Sequence, residues 1–420
     1  MFEHLSVWRF HMSKLNKALM ATTAIAFAAG LAMPAAAKKK DPSKAPKVVS
    51  SGKKMKLKLY GQITRSASIT DNGIATGFTN SENGNTSTRM GVKAQGKINN
   101  DLKLKLRYEW NMRSAHENRP LFNIDGPFDN DFDIRYADIE FKHKRFGTLF
   151  FGRGNGPGNS SSQTDLSGTS TGQKGGGEHW DFQNARFVET SASAAGGARA
   201  TTRVSRVFTN MDATSRNNRI RYDSPSIYGF QFRAGIVEQD GYEFALWYKG
   251  KVAGMKIKGA VNYSHNKQGV FPGEVQAGTT ATDTEIDLVN GSISIQTPWG
   301  IGVSGAAGWN DRDKNPRVNN AGDGKDPFFW WAAIWYRAKF FELGETRFKY
   351  GFSTTVDNQN EGDVGQAHGF TIVQQIKSTG TDMYVGYRHV SVDRDIAGAP
   401  GGEIDFEDQN LWVMGIRARF

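Results

Sequence analysis

The 420-residue sequence contains no cysteine. Without cysteine the chain can form no disulfide, supply no thiol nucleophile and hold no zinc or iron–sulfur cluster through thiolates. Proline is scarce, at 12 residues, and apolar residues make up only 38% of the chain. Beyond the N-terminal region no run of about 18 consecutive apolar residues occurs, so the sequence predicts no transmembrane helix there. The 48 glycines are accompanied by 12% aromatic residues, which argues against a disordered chain.

The N-terminal region has the layout of a secretory signal peptide. Lys14 and Lys17 precede an apolar centre at 21–31, and a run of small residues ends at Ala37. We expect residues 1–37 to be removed after Ala37, with Met12 as a possible true start. The alternative is a single membrane anchor, but the apolar span is short and contains a glycine and a proline.

The basic balance of the chain lies mostly near the N-terminus. The formal net charge is +11, which invites a nucleic-acid interpretation. However, residues 38–54, which we expect to be a periplasmic leader, hold seven lysines and one aspartate, whereas residues 55–420 hold 43 basic and 40 acidic residues. The charge therefore gives no reason to expect a nucleic-acid partner.

The sequence after residue 54 repeats segments in which apolar and polar residues alternate. In 102–113, for example, six mostly apolar residues from Leu102 to Met112 alternate with six polar ones. A period of two predicts a strand with one apolar face, and this length matches a tilted strand that crosses a bilayer. Sixteen such strands are predicted: 55–66, 86–98, 101–113, 131–143, 147–154, 215–225, 229–238, 241–250, 254–265, 283–297, 300–310, 327–340, 344–356, 367–377, 380–392 and 407–420.

Short and mostly long connections alternate between these predicted strands, with the brief link 239–240 as the exception, so that the long ones fall at one end of the sheet. This pattern, together with aromatic residues near strand ends, predicts an all-β protein: a 16-stranded antiparallel transmembrane β-barrel over 55–420, with short periplasmic turns and long extracellular loops. A secreted β-sandwich, propeller or solenoid is the alternative. A barrel is favoured because a bilayer requires every strand N–H and C=O to be paired.

Several segments resemble motifs of the general diffusion porins of Gram-negative bacteria, in the family's order. They are 59–62 (LYGQ), 88–93 (TRMGVK), 135–137 (RYA), 146–153 (FGTLFFGR) and 222–230 (YDSPSIYGF). Phe420 resembles the C-terminal aromatic residue that serves the family as an assembly signal. The resemblance spans the whole chain after the signal peptide.

This resemblance implies a water-filled outer-membrane channel for ions and small hydrophilic solutes, without catalytic residues or a required cofactor. It also implies a homotrimer, contacts with lipopolysaccharide and the barrel assembly machinery, and a third loop, 155–214, that folds into the lumen. Two other functions are open to such a chain: a channel specific for an anion or an oligosaccharide, and a barrel enzyme, which sixteen strands disfavour.

In the family, basic residues on the wall face acidic residues on the third loop. The resemblance and the strand phase give four basic candidates: Arg89, Arg135, Arg219 and Arg221. Arg135 requires a β-bulge or a strand-end position, because the regular phase would turn it towards lipid, where an arginine near the midplane costs about 2–4 kcal/mol. The acidic candidates on the loop are Asp165, Glu178, Asp181 and Glu189.

A second basic set is predicted from strand direction at the periplasmic end of the lumen. Such a vestibule would favour anions, although these side chains could simply keep the rim hydrated. The predicted members are Lys56, Lys58, Lys103, Lys105, Lys256, Lys258, Arg347, Lys349, Arg417 and Arg419.

An outer loop contains a group of aspartates that predicts a calcium site. Asp129, Asp131 and Asp133 place three carboxylates at alternate positions and could hold Ca²⁺, which prefers several oxygen ligands. The segment lacks the glycine and the distal glutamate of an EF-hand loop.

Overall fold

A computed structural model of the protein describes residues 55–113, 131–182, 185–190, 199–238, 241–266, 286–312, 326–358, 362–395 and 403–420. The signal peptide and leader expected at 1–54 lie outside these residues and stay predictions. Sixteen strands form the wall: β1 Lys56–Asp71, β2 Arg89–Lys97, β3 Leu102–Arg113, β4 Asp131–His143, β5 Gly147–Asn155, β6 Arg216–Asp223, β7 Phe230–Val237, β8 Gly241–Val252, β9 Met255–Asn266, β10 Ile286–Gln296, β11 Ile301–Arg312, β12 Phe328–Phe341, β13 Gly344–Val356, β14 Asp363–Ile376, β15 Thr381–Asp395 and β16 Gln409–Arg419.

The sixteen strands pair antiparallel with their neighbours and close into a barrel. The closing pair is β1 with β16, in a register that runs from Gln62 opposite Arg419 to Asp71 opposite Asn410. Closure leaves no free edge in the wall, as hydrocarbon surroundings require. The predicted 16-stranded barrel is confirmed, and the strand bounds differ from the predicted ones by a few residues.

The connections alternate as predicted. Turns of a few residues join β2 to β3, β4 to β5 and each later even strand to the next odd one, so all of them lie at one end. In the β8–β9 turn, Ala253 and Gly254 both have positive φ, the conformation of a tight hairpin turn that matches strand twist. The first loop adds a short strand, Thr76–Ser81, which pairs with the upper part of β1 and was not predicted.

The two faces of the wall differ in polarity. Large apolar side chains such as Phe244, Val261 and Ile334 are exposed on the outside. On β9, Asn262 beside Val261 and Ser264 two residues further on point inward and are buried. This is the alternation that separates a lipid face from a polar lumen.

The third loop, which leaves β5 and returns to β6, lies inside the barrel. Its outgoing arm follows the inner wall, where Thr164 N donates to Ser292 Oγ of β10 at 2.9 Å and Leu166 N donates to Ser294 Oγ at 3.0 Å. Its returning arm is held to the same half of the wall, because Asn290 Nδ2 donates to Met211 O at 2.7 Å. The predicted lumen-folded loop is therefore present in the structure.

An apolar core joins this loop to the inner face of the last three strands. The loop forms a short hairpin, Arg186–Glu189 with Arg199–Arg203, followed by one helical turn, Val204–Val207. No helix within the described ranges is long and apolar enough to cross a membrane. The core contains Phe182, Phe187, Val204, Val207 and Phe208 from the loop and Ala367, Val373, Val390, Val392, Leu411 and Val413 from β14–β16.

β12 also packs against the third loop with its inner face, and it is the clearest case because it is apolar on both faces. Phe328, Trp330 and Ile334 are exposed outside. Phe329 and Trp331 are buried inside beneath the third loop, and Trp331 Nε1 donates to Ser162 O at 2.8 Å. A strand with two apolar faces in a polar barrel thus marks the place where the loop packs.

We expect Trp331→Ala to loosen the third loop and to lower the free energy of unfolding by about 3–5 kcal/mol, the usual cost of truncating a buried tryptophan. Thermal unfolding of the detergent-solubilised barrel measures the change. Trp330→Ala, one residue away on the outer face, is the matched control. Equal effects of the two substitutions would contradict the packing role of Trp331.

Candidate functional site

Two carboxylates hold the neck of the third loop. Glu243 of β8 is fully buried, and it accepts hydrogen bonds from Gly158 N at 3.1 Å and Thr214 N at 2.6 Å, one on each oxygen. Asp212, on the returning arm, accepts from Ser160 N at 2.6 Å on the outgoing arm. Burial raises the pKa of Asp212 to about 7, although backbone donors and Lys174 oppose the shift. Glu243 therefore ties both arms to the wall, and Asp212 ties them to each other.

Farther along the loop, the acidic residues meet cations on the inner wall of β13 and β15. Lys349 Nζ donates to Asp165 Oδ2 at 2.9 Å. Burial favours a raised pKa for Asp165, but the charge and hydrogen bond of Lys349 outweigh it and hold the pKa below its usual value. Asp181 lies 3.3 Å from Arg388 Nε, and there burial dominates and raises the pKa of Asp181 despite the arginine.

Glu178 is also turned to the wall rather than to the open lumen. It is fully buried, and its Oε1 accepts from Gln173 Nε2 at 2.8 Å. Glu189 ends the first strand of the loop hairpin and forms an isolated bridge with Phe406 of the last loop. The prediction that the loop acids face the basic wall across the pore thus requires correction for Asp165 and Glu178, whereas for Glu189 it stays a prediction. Asp165 and Glu178 face the opposite wall, because the loop packs there, whereas Asp181 lies between Arg388 of that wall and Asn85 of the first loop, whose Nδ2 donates to Asp181 Oδ1 at 3.2 Å.

The basic wall lies on the other side, on β2–β6. Arg135 is the extra residue of a β-bulge, since Tyr136 is opposite Glu109 while Ile134 is opposite Trp110. The bulge turns Arg135 inward, where its Nε donates to Glu109 Oε1 at 2.8 Å. The side chain of Arg89 also points inward, and its Nε lies 3.9 Å from the same oxygen. Two arginines thus share one carboxylate.

Arg219 and Arg221 also point inward but are more strongly paired. Arg219 Nη2 donates to Asp138 Oδ2 at 2.8 Å, and Arg221 Nε donates to Asp223 Oδ1 at 2.7 Å. Both also donate to backbone carbonyls at the start of the third loop, including Asn155 O. They therefore fix the point where the loop turns into the lumen.

Lysines face one another directly across neighbouring strands of this wall. Lys58 of β1 is opposite Lys93 of β2, which is in turn opposite Arg107 of β3. Nearer the periplasmic end, Lys97, Lys103 and Lys142 follow one another across β2, β3 and β4. On β8 and β9 the same occurs with Lys249 opposite Lys258 and Lys251 opposite Lys256. Side chains directly opposite have Cβ atoms about 5 Å apart, and like charges there repel.

None of these lysines has a carboxylate at ion-pair distance within the described part of the chain; the lysines that do are Lys105, Lys144 and Lys349. Aromatic rings hold some of them instead. Lys93 Nζ lies 4.2 Å from the centroid of Tyr60, and Lys258 Nζ lies 5.9 Å from that of Trp247. A ring attracts a cation but leaves its charge in place.

The predicted vestibule residues separate into three groups. Lys56, Lys58, Lys103, Lys256 and Lys258 have no carboxylate partner among the described residues, whereas Lys105 pairs with Glu140 and both Arg417 and Arg419 pair with Asp382. Lys349 and Arg347 require correction. The third loop covers both, since Arg347 Nη1 donates to Gly168 O at 2.9 Å and Lys349 is buried.

Sequence reasoning missed the inward lysines Lys93, Lys97, Lys142, Lys249 and Lys251. Their signal was the period of two, because Lys93 and Lys97 are in phase with Arg89. It also missed Lys174 and Arg388, for which no such signal existed: Lys174 lies in a loop, and the role of Arg388 depends on where that loop packs.

The calcium prediction falls largely outside the described residues. Asp129 and the side chain of Asp131 are not described, and Asp133 is exposed. Among the residues that are described, no group of three or more His, Asp or Glu side chains could hold a metal ion.

A closed barrel with an apolar outer face, a polar lumen and a long loop folded into that lumen defines a membrane channel. The comparisons with known proteins give the family. Residues 21–395 match the Gram-negative porin family, and the chain belongs to it. No curated protein matched the sequence.

Solved structures resemble this fold at low sequence identity. An anion-selective porin from Comamonas acidovorans is 15% identical, with a TM-score of 0.56 over 87% of this chain and 100% of that one. The trimer form of OmpT from Vibrio cholerae is 14% identical, with a TM-score of 0.53 over 87% and 100%. OmpF of Salmonella typhi, in complex with daunomycin, is 15% identical, with a TM-score of 0.50 over 87% and 98%.

The protein is therefore a porin of the Gram-negative outer membrane, a channel for passive diffusion and not an enzyme. Its phenylalanine at the C-terminus is the last residue of the closing strand pair, since Phe420 N donates to Gly61 O at 3.1 Å and Gly61 N donates back to Phe420 O.

We expect Glu243→Ala to release the neck of the third loop, because two buried backbone N–H groups lose their acceptor at about 1–3 kcal/mol each. Single-channel recording should show a noisier open current than that of the wild type. Glu238→Ala, at an exposed carboxylate just beyond β7, is the control and should leave the current unchanged. An open current of Glu243→Ala with no more noise than that of the wild type would contradict the role of Glu243 in holding the two arms of the loop.

Proposed function

We propose that this porin favours anions over cations. The observation that carries the proposal is the series of inward lysines that face each other across β1–β4 and β8–β9 without carboxylate partners among the described residues. Unneutralised charge of one sign along a narrow aqueous path raises the local concentration of the opposite ion.

A second observation supports the same sign of selectivity. Three loop acids that could have attracted cations are turned to the wall, where Lys349 and Arg388 pair with two of them. The solutes that fit such a lumen are small hydrophilic anions. The porin of similar fold from Comamonas acidovorans is anion-selective, which agrees with the proposal but concerns that protein.

A salt gradient across a bilayer containing the wild-type channel should give a reversal potential of the anion-favouring sign. Lys58→Gln with Lys93→Gln should lower the anion-to-cation permeability ratio about two- to fivefold, since one lost charge near the path is worth up to about 1 kcal/mol in water. Raising the salt concentration should weaken the preference by screening.

Lys144→Gln is the control for these variants, because Lys144 lies in the β4–β5 turn, where it pairs with Asp101. A wild-type preference for cations would refute the proposal, and so would an unchanged ratio in the double variant.

We also propose that the channel is a homotrimer that assembles in the outer membrane with lipopolysaccharide around it and reaches that membrane through the barrel assembly machinery. The support is membership of the porin family and the trimer form of one protein with a similar fold. Native mass spectrometry of the detergent-extracted protein should give three times the mass of the mature chain. A monomer mass under conditions that keep the barrel folded would contradict this proposal.

A further inference from the structure

Lys174 lies on the outgoing arm of the third loop and is fixed in place through its backbone and its side chain. Its backbone N–H donates to Asn85 Oδ1 of the first loop at 3.2 Å. Its carbonyl oxygen accepts from Lys349 Nζ at 2.9 Å. Its ammonium group lies 4.2 Å from the ring centroid of Trp180 on the same loop. The ring orients the ammonium group without neutralising it.

The contacts of Lys174 place it beside the basic wall. Asn85 belongs to the stretch of the first loop that leads into β2 and Arg89. In this stretch Ser87 Oγ donates to Asn111 Oδ1 at 2.8 Å, and the same oxygen accepts from Arg135 Nη1 at 3.0 Å. The third loop therefore meets the wall next to the two arginines that share Glu109.

The charges around Lys174 are mostly of its own sign. Burial contributes most to lowering its pKa, to about 8, and repulsion by Arg216, Arg135 and Arg89 adds to this, while Asp212 opposes it. No carboxylate of the described residues forms an ion pair with Lys174. Asp212 itself is engaged by Ser160 N and Ala213 N.

We propose that Lys174 is a specificity-determining residue, through which the third loop adds positive charge to the narrow part of the pore. This proposal rests on the anion preference proposed above and deepens it. The loop also brings Asp181 to Asn85, whose Nδ2 donates to Asp181 Oδ1 at 3.2 Å, but Arg388 pairs with that acid and Lys174 keeps its charge. An anion passing between the loop and the wall meets Lys174 on one side and Arg89, Arg135 and Arg216 on the other.

The position of Lys174 also makes the selectivity depend on pH. A lysine with a lowered pKa is charged below that pKa and neutral above it. The anion preference should thus fall as the pH rises through about 8, while the arginines stay charged. Asp212 ionises near pH 7 and also changes the local charge. At pH 9.5 Asp212 is ionised in every variant, so its charge is the same in the comparison made there.

The experiment measures the chloride-to-potassium permeability ratio of the full-length porin in planar bilayers at pH 6.5 and pH 9.5. At pH 6.5 the wild type and Lys174→Arg should have the same ratio, and Lys174→Met a ratio about two- to fivefold lower. At pH 9.5 the wild type should fall to the ratio of Lys174→Met, whereas Lys174→Arg should keep the higher ratio. A difference in electrophoretic migration between unheated and heated samples of each variant checks that the barrel is folded.

Two outcomes separate this proposal from the one on which it rests. If the wild type prefers chloride but Lys174→Met keeps both its ratio and its pH dependence, the role of Lys174 is refuted and the anion preference stands. If the wild type prefers potassium, the proposed anion preference is refuted. In that case, a chloride-to-potassium ratio that is lower in Lys174→Met than in the wild type would still support the role of Lys174.

Discussion

The constraint on which the rest of the structure depends is the pairing of every backbone N–H and C=O in a hydrocarbon environment. It requires a closed sheet, and here β1 and β16 close it over ten residue pairs. Closure also separates the two faces of every strand. The outer face must be apolar, as at Phe244 and Val261, while the inner face is free to carry charge because it borders water. Charged residues that set selectivity can therefore line the lumen without changing the apolar outer surface.

The third loop divides this inner surface into two unlike halves. Over β10–β16, and around Glu243 of β8, it excludes water, and there the inner face follows the rules of a protein core. Trp331 and Phe329 pack beneath the loop, Glu243 has an N–H donor for each oxygen, and Lys349 lies against Asp165. Over β1–β7, and at the opposed lysines of β8 and β9, the wall faces the open lumen. A charge that is left unpaired on the dry half is expensive, whereas on the wet half water and counter-ions compensate it.

Much of the barrel could be predicted because a strand at a bilayer has only one regular pattern. The period of two predicted all sixteen strands, and the cost of a lipid-facing arginine limited Arg135 to a bulge or a strand-end position, of which the structure shows the bulge. The loop acids could not be oriented in this way, since a loop has no period and its partners are residues more than a hundred positions away, such as Arg388 for Asp181. The place where the loop packs does have a signal in the sequence: β12 is apolar on both faces, which a strand beside an aqueous lumen has no reason to be.

The lysines that face each other across neighbouring strands lie in the part of the wall that water reaches. Lys58 and Lys93 repel each other at cross-strand distance, and the fold gains nothing from the pair. The repulsion is small because water screens it, and Tyr60 holds Lys93 without cancelling its charge. The same two charges beneath the third loop would each need a carboxylate, as Lys349 and Arg388 have. Where the loop excludes water, its acids neutralise Lys349 and Arg388, whereas the opposed lysines that water reaches need no carboxylate and are left to act on the solute.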